Sequence, residues 1–213
     1  MIIRSLVTGS MGVNTYVVTS DQAGEALIID PGGSEEQILK LVDELHLKVK
    51  AILLTHGHAD HIAGVERLVR QAKWQVWIHA GDAEMLTNPS LNLSVWIGAP
   101  IQLPPADRLL ADGDTIWLDN ILLTVRHTPG HTRGGICLVG PNLVFTGDTL
   151  FCGSVGRTDF PGGNMNELIN GIRRHLLVLD DNYRVFPGHG PQSTIGRERL
   201  SNPFLQGAAD DPC

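Results

Sequence analysis

The sequence predicts an α/β protein in which two β-sheets pack together and helices flank them. Three observations carry this expectation. Short apolar strands fill the first thirty residues, a strand–helix–strand alternation follows, and the second half of the chain is laid out on a similar plan.

Taken in order, Ile2–Val7, Val13–Thr19 and Glu25–Asp30 read as strands separated by glycine-containing turns. Ser34 opens a helix: Gln37, three residues on, completes a capping-box pattern, and Ile38, Leu41, Val42 and Leu45 fall on one face. Ala51–Leu54 is a short strand of the buried type, Val65, Leu68, Val69 and Ala72 mark a second amphipathic helix, and Gln75–His79 is a strand. The proline-rich stretch Thr87–Asp107 shows little periodicity and reads as a surface loop. Thr115–Leu118, Ile121–Arg126, Ile136–Val139 and Leu143–Thr146 are strands joined by Gly, Asp-Asn and Pro-Asn turns. Asn164 and Glu167 cap a helix whose buried face is Leu168, Ile172 and Leu176, and Arg184–Phe186 is the last strand.

With 213 residues and no linker-like stretch, one domain over 1–213 is expected. Hydrophobic residues at 42% against 18% charged fit a folded chain that buries a core without staples. Sixteen basic against 23 acidic residues give a net charge of −7, and no run of five basic residues occurs. A general nucleic-acid surface and an anionic membrane surface are therefore not expected. Cys137, Cys152 and Cys213 form neither a disulfide framework nor a CxxC motif. Met1–Ser10 lacks a signal-peptide apolar region and no stretch approaches ~20 apolar residues, so a cytoplasmic location is expected.

The strongest chemical signal is Thr55-His56-Gly57-His58-Ala59-Asp60-His61, which follows the strand Ala51–Leu54 and precedes a helix near Ile62. In extended chain, positions 56, 58 and 60 face one way, and His61, entering the helix, reaches a second point. Four N/O donors in six residues at a strand-to-helix junction fit a two-metal site, whereas a capping Asp beside solvated histidines is the bland alternative. Three other strand ends carry a donor: His131 in Thr128-Pro129-Gly130-His131-Thr132, Asp148 in Gly147-Asp148-Thr149, and His189 in Pro187-Gly188-His189-Gly190. Proline disfavours helix at the preceding residue and glycine permits a tight turn, which holds each histidine at a strand's edge. Neither GxSxG, Walker nor GxGxxG patterns occur.

The strings HGHADH, TPGHT, GDTLF and PGHG, in this order, resemble the metallo-β-lactamase superfamily over about residues 13 to 205. The resemblance implies an αβ/βα four-layer sandwich, two mixed sheets flanked by helices, with a dinuclear centre on one edge. It assigns His56, His58 and His131 to one metal, Asp60, His61 and His189 to the other, and Asp148 as the bridge. It favours His131 over the nearby His127. Two divalent transition-metal ions per chain are implied; with no thiolate in the set, zinc is the first choice and iron or manganese also fits. His46 and His175 read as surface or boundary residues, His79 as a packing residue, and Cys152 as a small buried one.

Within the superfamily, Asp30-Pro31-Gly32, Gly147-Asp148-Thr149-Leu150-Phe151 and the run Arg197–Phe204 look like the glyoxalase II branch, in its short single-domain bacterial form without a C-terminal glutathione-binding helical domain. That resemblance implies hydrolysis of S-D-lactoylglutathione or a related acyl thioester by a metal-bound hydroxide, as in methylglyoxal detoxification. Asp60 and Asp148 would hold the nucleophile and its proton. Arg157 is the basic residue left at a family anchor position and is the expected substrate contact. The partner is then a small glutathione-linked thioester. Gly156-Arg157-Thr158-Asp159-Phe160 also resembles the persulfide dioxygenases, mono-iron enzymes that would use His56, His131 and Asp148. A metal-stabilised binding module without turnover is the alternative of another class; seven retained ligands argue against it, since a structural zinc site closes with four.

Overall fold

The computed structural model describes residues 1–20 and 24–206. Cys213 therefore lies outside the described residues. The first sheet runs β1 (Ile2–Thr8), β2 (Val13–Thr19), β3 (Glu25–Ile29), then helix α1 (Glu35–Glu44) and β4 (Lys48–Leu53). After β4 come a helical turn α2 (Ala59–Ile62), helix α3 (Val65–Ala72), β5 (Val76–His79), the turns α4 (Ala83–Thr87) and α5 (Ser94–Ile97), and β6 (Arg108–Leu110). The second half comprises β7 (Thr115–Leu118), β8 (Ile121–His127), β9 (Ile136–Gly140), β10 (Leu143–Gly147), the hairpin β11 (Leu150–Phe151) and β12 (Ser154–Val155), helix α6 (Met165–His175), β13 (Arg184–Pro187), β14 (Ser193–Thr194) and helix α7 (Ile195–Ser201).

The sheets are ordered β1-β2-β3-β4-β5-β6 and β14-β13-β10-β9-β8-β7. Both are mixed. In the first, β1 to β3 pair antiparallel while β3 to β6 pair parallel. In the second only β10 and β13 are parallel.

Strand alternation explains the layers. Tyr16 and Val18, Leu27 and Ile29, and Ala51 and Leu53 face the second sheet's Leu123, Val125, Leu138 and Phe145 in one central core. Their neighbours Val17, Ile28 and Ile52 point the other way and are covered by Ile38 of α1 and by Val65 and Leu68 of α3. On the far side Cys137, Val144 and Val185 are covered by Leu168, Ile172 and Leu176. Strands buried on both faces read as near-continuous apolar runs, as these do. The result is the expected αβ/βα four-layer sandwich.

Three local expectations are corrected. Ser34 precedes α1, but its backbone is left-handed (φ 55°) and its side chain makes no capping bond. The Thr87–Asp107 stretch is no mere surface loop. It holds α5, and Asn92 is fully buried there, with Nδ2 donating to the carbonyls of Met85 and Ile101 and Oδ1 accepting the Ser94 N–H. Its last residues lead into β6, an edge strand of three residues. Cys152 is half-buried and free rather than buried. By contrast Asn164 caps α6 as expected, accepting from the N–H groups of Asn166 and Glu167.

Candidate metal centre

Beyond β4 the chain bends at Thr55 and His56, is extended at His58 (φ −68°, ψ 148°) and turns helical at Ala59. The bend brings His56 and His58 to one point, their ring centroids 4.9 Å apart. Asp60 is set by the helical turn and joins His61, which corrects the expectation that 56, 58 and 60 converge. The loop is pinned by its backbone: the Ala59 N–H donates to the Asn92 carbonyl at 2.8 Å and the Gly57 N–H to Asp82 Oδ2 at 3.1 Å. Asp82 also accepts from Thr132 Oγ1 and the Gly134 N–H, so one buried carboxylate ties the turn before His58 to the turn after His131.

The expected donor atoms fall into two groups, and a third group of Asp30, His56 and His61 links them. Those of His56, His58 and His131 lie within 4.8 Å of one another, and so do those of Asp60, His61 and His189. His58 Nδ1 is 2.9 Å from His131 Nε2. His189 Nε2 is 3.2 Å from Asp60 Oδ2 and 3.3 Å from His61 Nε2. Asp148 touches both groups: Oδ1 is 3.4 Å from His61 Nε2, and Oδ2 is 3.5 Å from His131 Nε2 and 3.7 Å from His189 Nε2. Gly188 packs so closely on Asp148 and His61 that a Cβ there would overlap both. His127 is elsewhere; its ring stacks on His79 with centroids 4.0 Å apart, and its Nε2–H donates to the Arg133 carbonyl.

Residues that orient the donors were missed in the sequence. Asp30, just after β3, accepts the His61 Nδ1–H at 3.0 Å, together with the N–H (2.7 Å) and hydroxyl (2.6 Å) of Thr55. With that hydroxyl proton committed, Thr55 Oγ1 accepts the His56 Nδ1–H at 3.1 Å. His131 Nδ1–H donates to the Arg157 carbonyl at 2.7 Å. Each of these three rings is thereby fixed with Nε2 turned to the cluster, the usual role of carboxylates and carbonyls behind metal-binding imidazoles. The available signal was position: β3 runs parallel to β4, so the residue ending it reaches the same edge. The run Arg197–Phe204 also finds a role. Buried Glu198 accepts from Ser193 Oγ, the Gly153 N–H and Asn202 Nδ2, bracing the β11–β12 hairpin beside Asp148.

Electrostatics divide the groups. Burial and the neighbouring imidazoles hold His56 well below the ordinary histidine value, and burial with His131 pushes His58 down to about 3. Burial opposes a charge on His61, but the carboxylates of Asp148 and Asp30 outweigh it and raise His61 well above that value. His189 is raised by its hydrogen bond to Asp60. Burial would raise Asp148, yet His61, His131 and His189 hold it well below the ordinary carboxylate range.

The fold implies resident metal ions, and the residues fit them. His56 Nε2 and Asp148 Oδ1 are buried with no hydrogen-bond partner among the described residues, a costly arrangement that a cation relieves. The donors are imidazole and carboxylate throughout, which suits divalent transition metals. His58, Asp60, His131, Asp148 and His189 form the floor of a cavity of about 810 Å³, whose walls include Trp96, Ile97, Phe151 and Phe160. Arg157 lies at its rim, with Nε and Nη2 bonded to Asp159 at 2.7 and 2.6 Å and the guanidinium stacked 3.9 Å from the Phe160 ring.

A sandwich of this topology with histidine and aspartate donors gathered at its edge defines a metallo-hydrolase scaffold. The chain belongs to the metallo-β-lactamase superfamily, whose family model matches residues 8–189. It is 41% identical to an uncharacterized protein of Mycobacterium tuberculosis over 97% of this chain and 99% of that one. It is 38% identical to the hydroxyacylglutathione hydrolase GloC of Haemophilus influenzae over 87% of this chain and 89% of that one. Among solved structures it is similar to the BLEG-1 B3 metallo-β-lactamase (TM-score 0.91, 37% identity, 97% and 100% of the two chains). It is also similar to TTHA1623 in a di-iron-bound form (0.85, 36%, 95% and 100%) and to ETHE1 from Myxococcus xanthus (0.79, 30%, 98% and 86%).

Proposed function

We propose that this chain is a metal-dependent thioester hydrolase of the glyoxalase II type, acting on S-D-lactoylglutathione or a related acyl thioester. The observation that carries the reading is Asp148, whose Oδ1 faces His61 and whose Oδ2 faces both His131 and His189, so that one carboxylate touches both donor groups at an open cavity. The likeness to the GloC protein supports the substrate class.

In this reading His56, His58 and His131 would hold one divalent ion and Asp60, His61 and His189 the other, with Asp148 within reach of both. When bound, the ions supply an acidified water and positive charge beside the developing oxyanion. The chain's own residues do the rest. Asp30, Thr55 and the Arg157 carbonyl keep three imidazoles in the tautomer that offers Nε2. Asp60, partly exposed in the cavity, would accept the water's proton on the carboxylate oxygen turned away from His61 and His189 and return it to the thiolate that leaves as the C–S bond breaks. Arg157, the one Arg or Lys among the described residues of the lining, meets a carboxylate of the thiol carrier by exchanging Asp159 for it. That pair is exposed, so the exchange costs little and also gains little.

Thiol release from S-D-lactoylglutathione by zinc- or iron-loaded protein, abolished by a chelator, is the expected result; its absence overturns the reading. The likeness to ETHE1 and the 3.5 Å contact of His131 with Asp148 favour a second reading, a mono-iron persulfide dioxygenase using His56, His131 and Asp148. Oxygen uptake with glutathione persulfide decides between them, and a chromogenic β-lactam is the control that the BLEG-1 likeness calls for.

A further inference from the structure

The walls of the cavity are unlike its floor. Met11, from the turn after β1, and Leu93, Trp96 and Ile97, from the stretch around α5, form a side with no charged group. Trp96 is 80% exposed, Ile97 56% and Met11 53%, so three large apolar side chains meet solvent at one place beside the donors. Scattered apolar residues are ordinary on a surface; a contiguous group at the mouth of a cavity marks a contact.

This side is built rather than incidental. Leu93 adopts a left-handed backbone (φ 68°), which a branched side chain rarely takes, and the turn it starts presents Trp96 and Ile97 to the cavity. Asn92 beneath it is fully buried and spends its side chain on Met85, Ile101 and Ser94, while its carbonyl accepts the Ala59 N–H next to Asp60. The apolar side is thus locked to the donor loop. The other side, from the second half of the chain, carries Arg157, whose guanidinium is already held by Asp159 and stacked on Phe160. A thiol carrier's carboxylate finds one engaged cation there, so the carrier contributes little discrimination.

We infer that selectivity lies in the acyl arm: the site takes thioesters whose acyl group is an alkyl or aryl chain lying against Met11, Leu93, Trp96 and Ile97, in preference to a small hydroxyacyl group. The inference rests on the thioesterase reading for its chemistry but on the cavity wall for its specificity. Burial of a methylene is worth about fourfold in binding when complete, so two- to fourfold in kcat/KM per added methylene is the range for a half-open wall.

The test uses metal-loaded protein and two sets of compounds. Acetyl-, butyryl- and hexanoylglutathione should be hydrolysed with kcat/KM rising at least tenfold along the series, and S-D-lactoylglutathione should fall at its low end. Trp96→Ala should collapse the hexanoyl-to-acetyl ratio, and Trp96→Phe should restore most of it. S-hexylglutathione, a thioether that cannot be cleaved, should bind at least tenfold more tightly than S-methylglutathione by calorimetry. If no thioester is hydrolysed but the hexyl preference stands, the thioesterase reading fails and the apolar arm survives. A flat or falling acyl series, equal binding of the two thioethers, or a Trp96→Ala variant that changes the sedimenting mass and leaves the ratio intact overturns the inference.

Discussion

Asp30 Oδ2 lies 3.0 Å from His61 Nδ1, and both side chains are almost completely buried. The same carboxylate takes two bonds from Thr55, which in turn accepts from His56. One acid behind the cluster therefore sets the orientation of a donor in each group. Asp30→Asn keeps the shape but loses the charge that fixes the His61 tautomer. Metal affinity should fall ~10- to 100-fold, read by chelator competition, with the folded far-ultraviolet spectrum retained. Unchanged affinity would remove Asp30 from the site.

Asp148→Asn should lose more bound metal than Asp60→Asn. Asp148 contacts both donor groups, whereas Asp60 meets only His61 and His189. Elemental analysis should give close to two ions for the loaded wild type, and a ceiling near one would reject the paired arrangement.

His131→Ala and His127→Ala should separate. The first removes a ring held by the Arg157 carbonyl within the cluster, and the second removes one stacked on His79 at the far end of the same turn. Metal content should drop only for His131→Ala; the reverse result would redraw the site.

Gly188→Ala should empty the centre. The added methyl would collide with Asp148 Oδ1 and with the His61 ring, while the backbone at Gly188 needs no left-handed conformation. Metal content below half of wild type, with a melting temperature that no longer rises when metal is added, is the expected outcome.

The metal-free protein should lose stability as pH falls from about 6.5 to 4. Burial keeps His56 neutral and His58 down to about 3, while an unfolded histidine titrates near ~6.5. In that window the unfolded chain binds more protons than the folded one, so acid favours unfolding. His79, pushed down to about 4 by burial and His127, acts in the same direction. His61 and His189, shifted upward, are protonated in both states below ~6.5 and add no slope. Denaturant midpoints at three pH values check this, and His58→Gln should flatten the profile.

Most of the sandwich was legible because its strands are buried on both faces. Val17, Ile28, Ile52 and Val144 point to the helical layers while their neighbours point to the central core, and the sequence shows unbroken apolar runs. The donors were legible because all seven sit next to a glycine or another donor in a compact motif. What stayed hidden depends on neighbours remote in the chain. Strand β6 has three residues, including Arg108 and an exposed Leu109, and gains its identity only by pairing with β5. Asp30 acquires its role from the parallel pairing of β3 with β4, and Asn92 from three partners in a stretch without periodicity.

The donors also straddle a seam. His56, His58, Asp60 and His61 follow a strand of the first sheet, whereas His131, Asp148 and His189 follow strands of the second. Across that seam Val13 pairs with His189, Asn14 Nδ2 donates to the carbonyls of Pro187 and Gly190, and the Tyr16 hydroxyl donates to Pro187. A cation gripped from both sides binds only the docked halves, so its binding free energy is added to their cohesion, growing with the logarithm of free ion concentration. Melting temperature thus becomes a loading gauge: titrating zinc, iron or manganese against thermal stability ranks the metals without any substrate in hand.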